Sequence, residues 1–155
     1  MSSSLANLRN GTYRIFALGE GIAPEAAILT ATEQGVTLAG KGAVPEREQE
    51  WRVERAEGGT AIQFPAQIIP SASLSYKEPQ SGERLILGPL SDFPTRIWNV
   101  EPLPIGIIPE PFVIRVPDSD LAAIILPIKI FPPQLGLGMT GIGKPQAWAF
   151  EFLRE

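Results

Sequence analysis

Cysteine and histidine are both missing from this 155-residue chain. Without cysteine there is no disulfide framework, thiolate nucleophile or thiolate metal site. Without histidine the chain lacks the side chain that most readily moves protons near neutral pH, which is also the commonest transition-metal ligand. Ser-His-Asp and Cys-His chemistry are therefore excluded, and neither a metal nor another cofactor is expected. An enzyme would be left with a carboxylate pair or a Ser-Lys arrangement. Neither has a local signature here, so the chain is read as non-enzymatic. An excess of basic charge is also lacking: 13 basic against 17 acidic residues give a formal charge of −4. No basic cluster is available to neutralise a row of phosphates, so nucleic acid is not an expected partner.

Other absences bear on location. The start, Met1-Ser-Ser-Ser-Leu-Ala-Asn-Leu-Arg-Asn10, has no apolar core like that of a signal peptide. Cytoplasmic residence is the expectation, with leaderless secretion left open. The most apolar stretch, Leu121 to Met139, holds Pro127, Lys129, Pro132, Pro133 and two glycines. A spanning helix tolerates such breakers poorly, so the stretch is read as buried strands split by a proline turn, with no membrane partner.

What the chain has in quantity is punctuation. Sixteen prolines and fifteen glycines fall in short groups between alternating or β-branched runs. That pattern predicts many short strands joined by turns in one domain spanning residues 1–155. Only Pro24 to Thr32 could be argued as helical, and it flows into the strand-like Gly35-Val-Thr-Leu-Ala39.

An internal repeat fixes the expected architecture. The three tryptophans stand in Glu50-Trp51-Arg-Val-Glu54, Ile97-Trp98-Asn-Val-Glu101 and Ala147-Trp148-Ala-Phe-Glu151, about 47 and about 50 residues apart. In phase with them, Gly11-Thr-Tyr-Arg-Ile-Phe16, Gly59-Thr-Ala-Ile-Gln-Phe64 and Pro111-Phe-Val-Ile-Arg-Val116 open each unit. Three units, about 11–57, 58–110 and 111–155, each have room for four strands. They predict an all-β fold of the β-trefoil kind, with a closed six-stranded barrel and a hairpin cap. Each tryptophan belongs on the last strand of its unit, pointing inward with the apolar residue two positions on. Asp118 and Asp120, around Ser119, are read as capping a turn.

Gly11-Thr-Tyr-Arg14, the segment Glu46-Arg-Glu-Gln-Glu-Trp-Arg-Val53, Ser75-Tyr76, Val113-Ile-Arg-Val-Pro117 and Pro145-Gln-Ala-Trp-Ala-Phe150 with Arg154-Glu155 resemble the mycocypins. These are the clitocypin- and macrocypin-like fungal inhibitors of cysteine proteases. The resemblance implies a rigid trefoil whose loops between strands one and two, and between strands three and four, wedge into the cleft of papain-like enzymes. It places the first contact at Gly19, Glu20, Gly21, Ile22, Ala23 and Pro24, and the second at Lys41, Gly42, Ala43, Val44 and Pro45. Relative to the family, the first loop lacks an adjacent glycine pair and the second lacks aromatic residues. A further protease loop of the family falls on Pro65-Ala-Gln67-Ile68-Ile69-Pro70, which has neither the asparagine nor the basic residue that loop uses against legumain or trypsin. The cospin-like fungal serine protease inhibitors share the layout, and Lys41 between two glycines is the residue that could enter an acidic specificity pocket.

An inhibitor of this type needs no chemistry of its own, only stiff loops on a closed scaffold. Apolar residues at the loop tips, Ile22, Ala23, Val44, Ile68 and Ile69, are the expected exposed contact. A monomer with a protease as partner is the resulting expectation. Two other classes compete. Gln49-Glu-Trp51 and Gln146-Ala-Trp148 have the Gln-x-Trp form seen in ricin-B-like lectins, also trefoils, but the paired aspartate and aromatic of a sugar site do not recur, with aspartate only at 92, 118 and 120. A purely structural or assembly role would make Leu121 to Leu137 an exposed contact.

Overall fold

The short runs between glycines and prolines fold as strands in a computed structural model, which describes residues 8–19, 22–32, 35–64, 72–88, 96–106, 110–128, 132–140 and 145–155. The first unit supplies β1 (Gly11–Leu18), β2 (Ile28–Thr32), β3 (Gly35–Ala39) and β4 (Trp51–Ala56). The second supplies β5 (Gly59–Phe64), β6 (Ala72–Ser75), β7 (Ile86–Gly88) and β8 (Asn99–Pro102), and the third β9 (Phe112–Arg115), β10 (Leu121–Ile125), β11 (Leu135–Met139) and β12 (Ala147–Arg154). The first strand of each set of four begins at, or one residue after, a glycine- or proline-led mark. The stretch argued as helical turns only once, as a 3₁₀ turn over Pro24–Ala26. The β-branched and buried Ile28–Thr32 then pairs with β3 from Ile28↔Ala39 to Thr32↔Gly35, because burial on both faces outweighs the weak local helical signal.

Symmetry is clearest at the tryptophans. All three rings are at most 1% exposed. Each indole N–H donates to a backbone carbonyl of its own unit's second strand: Trp51 to Leu29 at 3.0 Å, Trp98 to Leu74 at 3.0 Å, and Trp148 to Ala123 at 3.2 Å. A large ring is buried and its one polar atom is satisfied at the same place three times. The expected inward residue two positions on is fully buried only in the first unit, at Val53. Val100 and Phe150 are half-buried.

Ladders join β12 to β1, β1 to β4, β4 to β5 and β8 to β9, and β9 meets β12 at the single pair Trp148↔Phe112. The remaining step, β5 to β8, is carried by one bridge in which Thr60 and Trp98 exchange two backbone bonds of 2.8 Å. The six-stranded arrangement is thus present, but the sheet is not a closed ladder as expected. Thr60 is the second residue of β5, so β8, from Asn99 on, runs past the start of β5 toward the two-residue turn from β4. Hairpins β2–β3, β6–β7 and β10–β11 form the cap. Residues 82–85 add backbone bonds to β11, among them Leu137 N–H to the Glu83 carbonyl at 2.8 Å. The apolar stretch from Leu121 is accordingly the β10–β11 hairpin, and among the described residues no helix is long and apolar enough to cross a membrane.

The glutamate three places after each tryptophan works on the barrel exterior. Glu151 pairs with Arg14 at 2.9 Å and Glu101 with Arg115 at 3.1 Å, each across adjoining barrel strands. In the remaining unit the arginine's place is taken by Gln63, and Glu54 pairs instead with Arg52 at 2.9 Å. Such half-exposed pairs contribute about 1 kcal/mol or less apiece. In the acidic turn Asp118 takes a left-handed φ of 58°, and the side-chain acceptor is Ser119 between the two aspartates, whose Oγ takes the Leu121 N–H at 3.0 Å.

Candidate functional site

The candidate loops are the β1–β2 connection, residues 19–27, and the β3–β4 connection, residues 40–50. Both link a barrel strand to the first cap hairpin, and so they lie side by side. In the first, the proline at the start of the 3₁₀ turn fixes φ, and the Ala26 N–H donates to the Ala23 carbonyl at 2.9 Å. The return is pinned where the Ala17 N–H donates to the Ala27 carbonyl at 2.9 Å.

In the second loop, Gly40-Lys41-Gly42-Ala43 is a closed β-turn, with the Ala43 N–H donating to the Gly40 carbonyl at 3.1 Å. Gly42 sits at φ +88°, where a side chain would be strained. Pro45 leads into a 3₁₀ turn over Glu46–Gln49. Gln49, only 1% exposed, ties this loop inward: its amide donates to Thr30 Oγ1 at 3.2 Å and to the Gly40 carbonyl at 3.0 Å.

The two loops touch backbone to backbone. A β-carbon placed on Gly40 would lie 2.5 Å from the Glu25 carbonyl oxygen, closer than real β-carbons come to any atom. Between them runs a groove of about 510 Å³ lined by Arg14, Phe16, Glu25, Ile28, Lys41 and Glu151. Its apolar residues are Phe16 and the buried Ile28, and two cations and two carboxylates border it. Arg14 is held against Glu151, whose side chain remains 52% exposed.

The two expected contact segments meet where Gly40 faces the Glu25 carbonyl, Lys41 lines the same groove as Glu25, and Gly19 lies against Ile22 within the first loop. Glu20 and Gly21 lie outside the described residues, as does the whole further loop of Gln67, Ile68 and Ile69. Gly19, Ala23, Lys41, Gly42, Ala43 and Pro45 are exposed. The expected apolar tip is smaller than anticipated, because Ile22 is half-buried against the core and Val44 is half-buried. Burial of a branched side chain under its own loop is worth more than leaving it in water. Lys41 stands in a closed turn at the groove, not on an extended segment.

Sequence reasoning missed Arg14, Phe16, Glu25 and Glu151 as groove residues. Arg14, Phe16 and Glu151 belong to the repeat marks, and an alternation argument along β1 and β12 would have placed them on the outer face. The Gln-x-Trp glutamines are structural in both places. Gln49 is described above, and Gln146 donates to the carbonyls of Leu18 at 2.8 Å and Ala147 at 2.9 Å. Among the described residues no aromatic side chain is exposed, and no group of three acidic side chains is placed to hold a metal ion.

No protein-family model matches the chain, and no curated protein matches it. Solved structures do match. A ricin B-like lectin from Macrolepiota procera, solved in complex with lactose, superposes with a TM-score of 0.72 at 14% identity, covering 95% of this chain and 99% of its own. The designed threefold-symmetric protein ThreeFoil superposes with a TM-score of 0.65 at 14% identity, covering 92% of this chain and 99% of its own. At such identity the likeness shows the fold, and the fold is a β-trefoil.

Proposed function

We propose that this chain is a non-enzymatic protein inhibitor of proteases, and that it occludes the cleft of papain-like cysteine proteases with the paired loops 19–27 and 40–50. The observation that carries the reading is the contact of Gly40 with the Glu25 carbonyl, backed by Gln49, which makes one stiff rim out of two separate connections. A rim built in advance loses little freedom on docking, so more of the contact energy survives as affinity. Two loops with their neighbours are enough to supply an interface of about 1,600 Å² in total. Occlusion needs no proton transfer, which suits a chain without histidine or cysteine. The family resemblance in the sequence supplies the papain-like target. The closed turn around Lys41 weighs against its use as an extended, trypsin-directed anchor.

A second reading, a carbohydrate-binding module, is favoured by the superposition on a lectin solved with lactose. Two observations weigh against it. Both Gln-x-Trp glutamines are spent on the protein's own hydrogen bonds, and no exposed aromatic ring among the described residues offers a sugar a stacking face.

Titration against papain, a legumain, trypsin and a glycan array at one salt concentration separates the readings. Stoichiometric loss of papain activity supports inhibition through the paired loops. Loss of trypsin activity that disappears in Lys41→Ala moves the target to the serine class. Binding to glycans with every protease untouched replaces the inhibitor reading with the lectin one.

A further inference from the structure

Asparagine followed by glycine is the most readily deamidated pair in a polypeptide, because glycine has no side chain to shield its amide nitrogen from the neighbouring side-chain carbonyl. Of Asn7, Asn10 and Asn99, only Asn10 precedes a glycine. That pair stands at the start of β1, where Asn10 is exposed and Gly11 is buried.

Strand β4 holds both reacting groups. The Asn10 side-chain carbonyl accepts the Arg55 N–H at 2.9 Å. Two residues earlier on β4, Val53 lies opposite Gly11. Backbone groups alternate along a strand, so with the Arg55 N–H turned toward β1 the Gly11–Val53 pair is a hydrogen-bonded one, and the Gly11 N–H meets the Val53 carbonyl. Nucleophile and electrophile are thus tied to separate partners and kept out of an attack geometry. The chain just before them is fastened as well: the Tyr13 hydroxyl donates to the Arg9 carbonyl at 2.8 Å, and the Arg9 guanidinium lies 3.7 Å from the centre of the Phe152 ring.

We propose that Asn10-Gly11 is a self-modification site that the fold locks and opening of the first strand's end releases. Once freed, the Gly11 amide nitrogen loses its proton to solvent and attacks Asn10 Cγ. The new C–N bond closes a five-membered imide while the Cγ–Nδ2 bond breaks and ammonia leaves with a proton. Water then opens the ring at either carbonyl, giving aspartate or isoaspartate at position 10. Aspartate keeps an oxygen for the Arg55 N–H and adds a negative charge next to exposed Arg9. Isoaspartate lengthens the main chain by one carbon, so the partners at Arg55 and Val53 can no longer both be met in register. Gly11 has no slack for this, since a β-carbon there would already run into the Phe152 ring. The isoaspartate form therefore folds less stably. None of this depends on the inhibitor reading.

The full-length chain is kept in mildly alkaline buffer, folded or unfolded in guanidinium chloride. The tryptic peptide from Asn10 to Arg14 is followed by mass, and isoaspartate is counted by isoaspartyl methyltransferase labelling. Position 10 is expected to convert at least about tenfold more slowly in the folded chain, because the strand end must open first. Arg55→Pro deletes the donor that holds Asn10. It is expected to speed conversion at least about threefold in the folded chain and to leave the unfolded rate unaltered. A thermal melt checks that this variant is folded, and the wild-type comparison stands without it. Returned to folding buffer, Asn10→Asp is expected to reach the wild-type urea midpoint, whereas chains bearing isoaspartate unfold at lower urea. Equal rates in folded and unfolded wild type, a folded Arg55→Pro no faster than wild type, or an isoaspartate chain with the wild-type midpoint overturns the proposal.

Discussion

The Trp98 indole N–H donates to the Leu74 carbonyl across 3.0 Å of fully buried space, and it links the last strand of the second unit to that unit's cap hairpin. Trp98→Phe keeps most of the apolar contact but strands that carbonyl, which costs about 1–3 kcal/mol. Loss of ring volume adds a cavity cost to this. The same substitution at Trp51 or Trp148 is expected to cost a comparable amount, because each indole makes the equivalent bond. Urea unfolding of the three variants measures this. One that unfolds at the wild-type midpoint contradicts the threefold account of the core.

Gln49 is the one large polar side chain among the most deeply buried residues, and both of its described bonds serve the loop rim. Gln49→Leu keeps the volume and leaves the Gly40 carbonyl without its amide partner. A loss of about 1–3 kcal/mol is expected, since two hydrogen bonds from a buried amide are removed at about 1 kcal/mol each, although the Gly40 carbonyl keeps the Ala43 N–H. The expected signature is faster hydrogen exchange at the Ala43 amide, whose turn rests on that same carbonyl. Unchanged exchange at Ala43 means the glutamine does not brace the turn.

The architecture was legible in the sequence because tryptophan is too large to be buried in unlike settings at a fixed spacing without a repeated unit. Trp51, Trp98 and Trp148 therefore predicted three equivalent surroundings. The loops were legible as connections for a similar reason, with Gly40, Gly42, Pro24 and Pro45 marking where strands cannot continue. Their mutual contact was not, because it depends on the missing side chain of Gly40 meeting a carbonyl fifteen residues earlier, and no spacing rule encodes that. The open step between β5 and β8 was hidden too. The two-residue turn Glu57-Gly58 stands just before Gly59, so β8 runs past the start of β5 and meets it only at Thr60 and Trp98. Exposure of Ile22 and Val44 was misjudged because a loop tip's polarity says little about which way a branched side chain folds under it.

Tyr13 and Tyr76 are only 3% and 4% exposed. Burial disfavours the phenolate and raises both hydroxyls above their ordinary 10.0, while the Arg9 and Arg96 charges draw them partly back. The folded chain thus keeps protons that the unfolded chain releases. The stabilisation is fully present below about pH 10, the unfolded value, and is lost as pH rises through the higher folded values. Between pH 9 and 11 the urea midpoint is expected to fall. Each tyrosine contributes a slope of up to about 1.4 kcal/mol per pH unit in the interval where only the unfolded chain has ionised. The Tyr13→Phe, Tyr76→Phe double variant is expected to fall less steeply. An equally steep fall assigns the alkaline loss to other groups.

Gly40 and Gly42 stand two residues apart, yet alanine has a different physical meaning at each. At Gly42 the space is open, with no atom within 4 Å of a new β-carbon, but φ is +88°. Gly42→Ala therefore costs roughly 1–2 kcal/mol of backbone strain confined to the turn. At Gly40 the new β-carbon would lie 2.5 Å from the Glu25 carbonyl oxygen. A carbonyl cannot yield as a flexible side chain does, so the 3₁₀ turn over Pro24–Ala26 has to move away and the two loops part. Gly40→Ala is expected to speed hydrogen exchange at the Ala26 amide, which donates to the Ala23 carbonyl, and to weaken papain inhibition at least about tenfold, since a displacement on the order of 1 Å misplaces half the rim. Gly42→Ala is expected to leave exchange at Ala26 unaltered. If both alanine variants disturb Ala26 alike, strain in the second loop spreads without the Gly40 contact, and the loops are coupled by some other route.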